Sequence, residues 1–281
     1  IHHIERKVIS MNDIANNQLV VDGDTISFQE FRIDINNYIF EREKMNYYNN
    51  QLRSRNLNLV LDSGKNERLM YIDYQTAFYP NMLVNQIAKA RFMFGGQSRA
   101  PMVIRKPMGM WRSSAAQHSQ SLHGLLAHIP GLKVVLPSSA YDTKGLMKTA
   151  IRDNNPVVIF EDKLMYNDKA PVPEEEYLIP FGEANIKREG TDITLIATSS
   201  MVQVCEKAAE ILAAEGISAE VIDPRTIVPL DEATLLASAR KTSRVIVVDE
   251  GHQSYGVTAE IASRINEKAF YYLDAPVLRM G

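Results

Sequence analysis

One cysteine, one tryptophan and no long apolar run characterise this 281-residue chain. Cys205 alone can form neither an internal disulfide nor a thiolate metal site, which excludes disulfide scaffolds, zinc fingers and iron–sulfur clusters and fits a reducing compartment. No stretch reaches the roughly 18 apolar residues that span a bilayer. The opening Ile1-His-His-Ile-Glu-Arg-Lys7 has no apolar segment behind its charges. An excess of positive charge is missing too: 31 basic against 34 acidic side chains leave a net charge of -3, which gives no field to hold nucleic acid or an anionic membrane. Phosphate-cradling glycine loops are absent, since Gly95-Gly96 closes a helical pattern instead of opening one. A Gly-x-Ser-x-Gly nucleophile elbow is likewise absent, which argues against a serine hydrolase. The expectation is a soluble protein of the cytoplasm, or of an organelle matrix after removal of a transit peptide.

What is present is enough apolar material, 45% of residues, for one large or two ordinary cores. Residues 1–70 carry eleven of the eighteen asparagines but two of the fourteen glycines, a bias against long regular elements. Within them, residues 18–28 read as a hairpin around Asp22-Gly23, and 29–52 as an amphipathic helix bearing Phe31, Ile35, Ile39 and Tyr47. A regular alternation then sets in: helix 82–93, strand 101–106, helix 119–128, strand 132–136, helix 140–153 and strand 156–161. Three prolines and Glu174-Glu-Glu176 mark 167–182 as an extended linker. A second alternation follows: strand 192–197, helix 201–215 closed by Gly216, strand 218–222, helix 231–240 capped by Asp231, strand 244–249, helix 257–268 and strand 276–279. The fold class is therefore α/β with two doubly wound domains, at 71–175 and 176–281, behind a first segment at 1–70.

Histidines at 118, 123 and 128 suggest a metal site, but steps of five residues rotate about 140° on a helix, so the three cannot face one ion. His123 reads as an ordinary core or surface histidine. His118 differs, because it lies between a Gly/Met/Arg/Ser-rich loop at 108–114 and a helix start, a junction that exposes side chains where parallel sheets bind ligands. Catalysis and simple capping by the adjacent Ser119 and Ser121 are both open for this stretch. Asp249-Glu-Gly-His252 ends a strand and reads as a polar turn.

Beyond residue 74 the motifs become specific. Asn85-Gln-Ile-Ala-Lys-Ala-Arg-Phe-Met-Phe-Gly-Gly96, Ala116-Gln-His-Ser-Gln-Ser121, Ala127-His-Ile-Pro-Gly-Leu-Lys-Val-Val135, Ala150-Ile-Arg-Asp-Asn-Asn-Pro156 and Asp223-Pro-Arg-Thr-Ile-Val-Pro-Leu230 resemble, in order and spacing, the β subunits of thiamine-diphosphate-dependent 2-oxo acid dehydrogenases. Glu174-Glu-Glu-Tyr-Leu-Ile-Pro180 and Lys187-Arg-Glu-Gly-Thr-Asp192 look most like the pyruvate and acetoin branches. The resemblance implies a transketolase-like pyrimidine-binding domain followed by a transketolase C-terminal domain. It implies a partner α subunit in an α2β2 heterotetramer that holds most of the thiamine diphosphate and its Mg²⁺. It also implies a lipoyl acyltransferase core as acyl acceptor, and pyruvate-like 2-oxo acids or acetoin as substrate. His118 matches the histidine beside the reacting carbon of the cofactor, where an imidazole can hydrogen-bond or protonate an intermediate. Tyr74 or Phe78 would stack on the pyrimidine. Backbone carbonyls at Met102, Ala150, Ile151, Asp153 and Asn155 match those that hold K⁺ in relatives, with helix C-capping at 153–155 an equal alternative.

One departure bears on activity. The family's Ile-Ser-Glu-like motif, whose glutamate activates the aminopyrimidine, has no match in residues 1–70. The glutamates before the matching region are Glu5, Glu30, Glu41, Glu43 and Glu67, with Glu43 nearest the expected place. The competing reading is therefore a degenerate, non-catalytic β-like subunit kept for assembly.

Overall fold

A computed structural model describes residues 18–21, 24–27, 57–61, 68–72, 81–110 and 115–281. Gln18–Val21 (β1) and Asp24–Ser27 (β2) pair antiparallel with Val21 opposite Asp24, as a hairpin around Asp22-Gly23 requires. Two strands that the periodicity did not reveal follow, Leu57–Leu61 (β3) and Arg68–Ile72 (β4). The helix expected over 29–52 lies outside the described residues.

The helix expected at 82–93 is instead a π-helical turn, Asn81–Ile87, closed by the Ala88 N–H on the Leu83 carbonyl at 2.9 Å, and one α turn, Ala90–Met93 (α1). Gly131, at φ 97°, lies so close to this turn that a Cβ there would run into the Ala88 carbonyl. Gly131→Ala is expected to destabilise the protein by at least ~2 kcal/mol, because it adds left-handed strain to a backbone collision. Urea denaturation of the purified variant measures it, and an unchanged midpoint would show that the turn can move aside.

The rest of the first domain is Val103–Met108 (β5), His123–Ala127 (α2), Lys133–Val135 (β6), Ala140–Arg152 (α3) and Val157–Asp162 (β7). Every residue of β7 is buried, as a strand that opens on the apolar run Val157-Val-Ile-Phe160 and is covered on both faces should be. Ser139 starts α3 by accepting the Asp142 N–H, satisfying one of the orphan donors of its first turn. The second domain contains Asn185–Arg188 (β8), Ile193–Ala197 (β9), Met201–Ala214 (α4), Ala219–Asp223 (β10), Thr226–Val228 (β11), Glu232–Thr242 (α5), Val245–Val248 (β12), Val257–Ala269 (α6) and Leu278–Met280 (β13). Asp231 caps α5 by accepting the Thr234 N–H at 3.1 Å, and α4 stops just before Gly216 at φ 80°.

Two mixed sheets result, ordered β11-β6-β7-β5-β4-β3 and β13-β12-β9-β10-β8. Their interiors are parallel as the alternation predicts, while β3, β8 and β11 join the edges antiparallel. β11 leaves the second domain to pair with β6 of the first, so the first sheet is completed by the second domain. The 167–182 stretch is packed rather than free: Ile179 is buried in the first core beside Leu146, and Tyr177 stacks on Tyr141 at 4.4 Å. The two domains are pinned further by buried Asp142, which accepts from Lys187 at 2.9 Å and Arg225 at 2.8 Å. Burial alone would raise its pKa, but the Ser139 hydroxyl and these two cations hold it below the usual carboxylate value. Burial pushes the Cys205 thiol up to about 11, as befits a core cysteine. Among the described residues no helix is long and apolar enough to cross a membrane.

Candidate active site

The C-terminal ends of parallel strands are where open α/β sheets bind ligands, and here those ends of the two sheets meet. Asp162 terminates β7 in the first sheet and accepts a short hydrogen bond from Ser200, which opens α4 after β9 in the second. Beyond the end of β12, Asp249 accepts from His123 Nε2 of α2 at 2.9 Å, and Glu250 accepts the Met110 N–H just past β5 at 2.6 Å. These contacts form a polar seam between the domains.

His118 lies on this seam. After β5 the chain turns at Gly109, at φ 91°, whose N–H bonds the Gln120 carbonyl at 3.2 Å. Residues 119–122 stay outside the helix expected at 119–128, and α2 starts only at His123. Ala115, at φ 66°, opens a single 3-10 turn, Ala116–His118. The His118 side chain is half-buried, and its carbonyl accepts a short hydrogen bond from Lys163, the residue after Asp162. Burial lowers the Lys163 pKa, opposed by the nearby charges of Asp162 and Glu250.

The acidic groups here are unusual. Asp249 is buried, yet bonds from His123, Thr198 and the Gly251 N–H outweigh desolvation and hold its pKa below 3.8. Glu250 goes the other way, pushed up to about 7 by burial first and by Asp162 and Asp249 next, against the stabilising Met110 N–H. Its second oxygen is buried with no hydrogen-bond partner among the described residues.

Tyr74, Phe78 and all five glutamates before the matching region lie outside the described residues. Met102, Ala150, Ile151, Asp153 and Asn155 gather where β5 and β7 begin, the end of the sheet opposite to His118. The Met102 carbonyl accepts Val157 N–H at 2.9 Å and the Ala150 carbonyl accepts Asp153 N–H at 3.2 Å. Asp153 caps α3, accepts Asn155 N–H at 2.8 Å and is paired with Lys133, so the capping alternative accounts for the side chains there. His123 is a buried, paired core histidine, whereas His128 and His252 are exposed. No cluster of three or more potential metal ligands occurs among the described residues. The sequence did not single out Asp162 or Lys163; the one available signal was charged residues following the apolar run Val157-Val-Ile-Phe160.

Two family models match: the transketolase pyrimidine binding domain over residues 67–169 and the transketolase C-terminal domain over residues 182–281. The acetoin:2,6-dichlorophenolindophenol oxidoreductase subunit beta of Bacillus subtilis is 47% identical over 212 residues, 75% of this chain and 62% of that protein. The mitochondrial pyruvate dehydrogenase E1 component subunit beta-1 of Arabidopsis thaliana is 49% identical over 203 residues, 71% of this chain and 56% of that protein. The chain thus spans less than two-thirds of the length of these relatives. A split-gene transketolase solved as an inactive β4 tetramer shares the fold, with a TM-score of 0.59 and 22% identity over 74% of this chain and 65% of that one. Carrying both transketolase domains in order and sharing nearly half its residues with such relatives over most of its length, the chain belongs to the transketolase-like family that includes the β subunits of acetoin and pyruvate dehydrogenases.

Proposed function

We propose that this chain is the β subunit of the decarboxylating component of a pyruvate- or acetoin-type 2-oxo acid dehydrogenase, active only with an α subunit. The observation that carries this reading is the position of His118, on the turn after β5 at the seam of two transketolase-like domains. The groups that converge there also suit a shared cofactor site. The carboxylates of Asp162 and Asp249 at this seam repel a diphosphate, so thiamine diphosphate would place its diphosphate and Mg²⁺ in the partner subunit. When bound, thiamine diphosphate supplies the carbon nucleophile and electron sink for cleavage next to a carbonyl.

This chain's residues would then bind, orient and move protons. A ring nitrogen of the His118 imidazole gives a proton to, or takes one from, the substrate-derived oxygen, and steadies it while the acyl group passes to the lipoyl arm of an acyltransferase core. Lys163 fixes His118 through its backbone carbonyl, and Glu250 fixes Met110 on the same connection. Tyr74 or Phe78 would stack on the pyrimidine, and Glu43 is the nearest candidate for its activating carboxylate. The carbonyls at Met102, Ala150, Ile151, Asp153 and Asn155 would hold K⁺, away from the chemistry.

The reading is tested by native mass spectrometry of the complex captured through this chain from its own cells. The expected result is an α partner at equal stoichiometry, in an α2β2 assembly, with thiamine diphosphate retained. This chain recovered alone as a homodimer, or with a partner that takes up no cofactor, would favour the assembly subunit.

A further inference from the structure

Glu250 and Asp162 come from different domains and converge on one point. A Cβ built at Gly109 would lie 2.8 Å from Glu250 Oε2 and 2.8 Å from Asp162 Oδ1. Glycine is needed there, both for φ 91° and for the space the two carboxyl groups occupy. Glu250 Oε1 is committed to the Met110 N–H at 2.6 Å. The Asp162 oxygens accept from Ser200 and from the Leu164 N–H at 2.9 Å. That leaves Glu250 Oε2 buried with no donor among the described residues, beside another carboxyl oxygen. Two bare carboxylates in that geometry would repel each other and leave a buried acceptor unsatisfied; one shared proton removes both costs.

We propose that Glu250 and Asp162 share a proton across the domain seam and thereby fix the connection that carries His118, making Glu250 a positioning residue of the site. This rests on the function proposed above. Both ends of the connection are tied to the pair: Met110 by its N–H to Glu250, and His118 by its carbonyl to Lys163, whose ammonium lies in the field of both carboxyls. The groups facing Glu250 are Asp162 and Lys163 at the end of β7, Met110 past β5 and Asp249 past β12, with His123 of α2 behind Asp249.

The sign of the pH effect follows from where the proton is held. Glu250 keeps it to about pH 7 when folded and loses it near 4.5 when unfolded, so the folded state binds the extra proton between those values. The stability it contributes is full below about pH 4.5, declines as pH rises and is gone above about 7. Glu250→Gln keeps the Met110 acceptor and offers Asp162 an amide donor that does not titrate. The Tm of wild type minus that of Glu250→Gln, measured on the full chain, is expected to fall by roughly 3 °C or more between pH 5 and 8. In the complex with the α subunit, wild-type kcat should decline above pH 7. Glu250→Gln should stay within about threefold of the wild-type optimum without that decline, and Glu250→Ala should lose about tenfold in kcat at every pH with little change in KM. Parallel Tm curves for wild type and Glu250→Gln, or a Glu250→Gln variant as impaired as Glu250→Ala, would overturn the proposal. A wild-type complex with no activity would instead count against the proposed function, while the Tm curves still decide the carboxyl pair.

Discussion

His118→Ala in the complex with the α subunit is expected to lower 2-oxo acid-dependent acyl transfer to lipoamide by a factor of about 10²–10⁴, the usual contribution of one positioned acid–base side chain. The loss should appear in kcat, since the imidazole is invoked for proton movement rather than for holding substrate. Assembly should be unaffected: the turn is anchored through the His118 carbonyl and the Ala115 and Gln120 backbone, none of which the substitution removes. Reductive acylation kinetics and native mass spectrometry of the variant complex check the two halves separately. Unchanged activity would remove His118 from the chemistry and leave the assembly subunit as the better reading.

His123→Leu is expected to cost about 3–5 kcal/mol of stability, a midpoint lower by roughly 10 °C, although it replaces a core side chain by an apolar one. The reason lies across the seam. The Asp249 side chain is 1% exposed and its partner His123 is 1% exposed, so losing the imidazole leaves a carboxylate that cannot reach water. Thr198 and the Gly251 N–H still bond it but do not replace the lost partner. Adding Asp249→Asn should recover part of the loss, because the uncompensated charge is gone. The Asp249 contribution is present above about pH 4 and lost as pH falls through its depressed folded value, so the wild-type advantage should shrink in acid. Thermal melts of the two variants at pH 7 and pH 3.5 measure this; a loss below about 1 kcal/mol would mean that the seam opens to let water reach Asp249.

Much of the second domain can be read directly from its residues. Asp231 before an apolar-periodic run and Gly216 after one set the ends of α5 and α4 through local capping, which needs no distant partner. In the first domain, Val157-Val-Ile-Phe160 declares a fully buried strand by its composition alone. The misses share a different cause. β3 and β4 are held by each other and by β5, a pairing that no local pattern of an asparagine-rich segment announces. The π-helical turn at 81–87 and the late start of α2 occur beside contacts that no local pattern carries, the Gly131 approach to Ala88 and the Gly109–Gln120 bond. The 167–182 stretch reads as a spacer from its prolines, and only the hole in the first core beside Gly145 and Leu146 turns Ile179 inward.

The sequence by itself determined the α/β class and the two-domain order and offered His118 as a candidate, because periodicity, caps and motif spacing are properties of neighbours along the chain. Only the tertiary structure decided that β11 completes the sheet of the other domain, that His123 is held by Asp249, and that Asp162 and Glu250 face one another beside the His118 turn. Proton affinity depends on burial and on charges within a few ångströms; those are set by the docking of the two domains, and the sequence shows Glu250 only as one more acid in a turn.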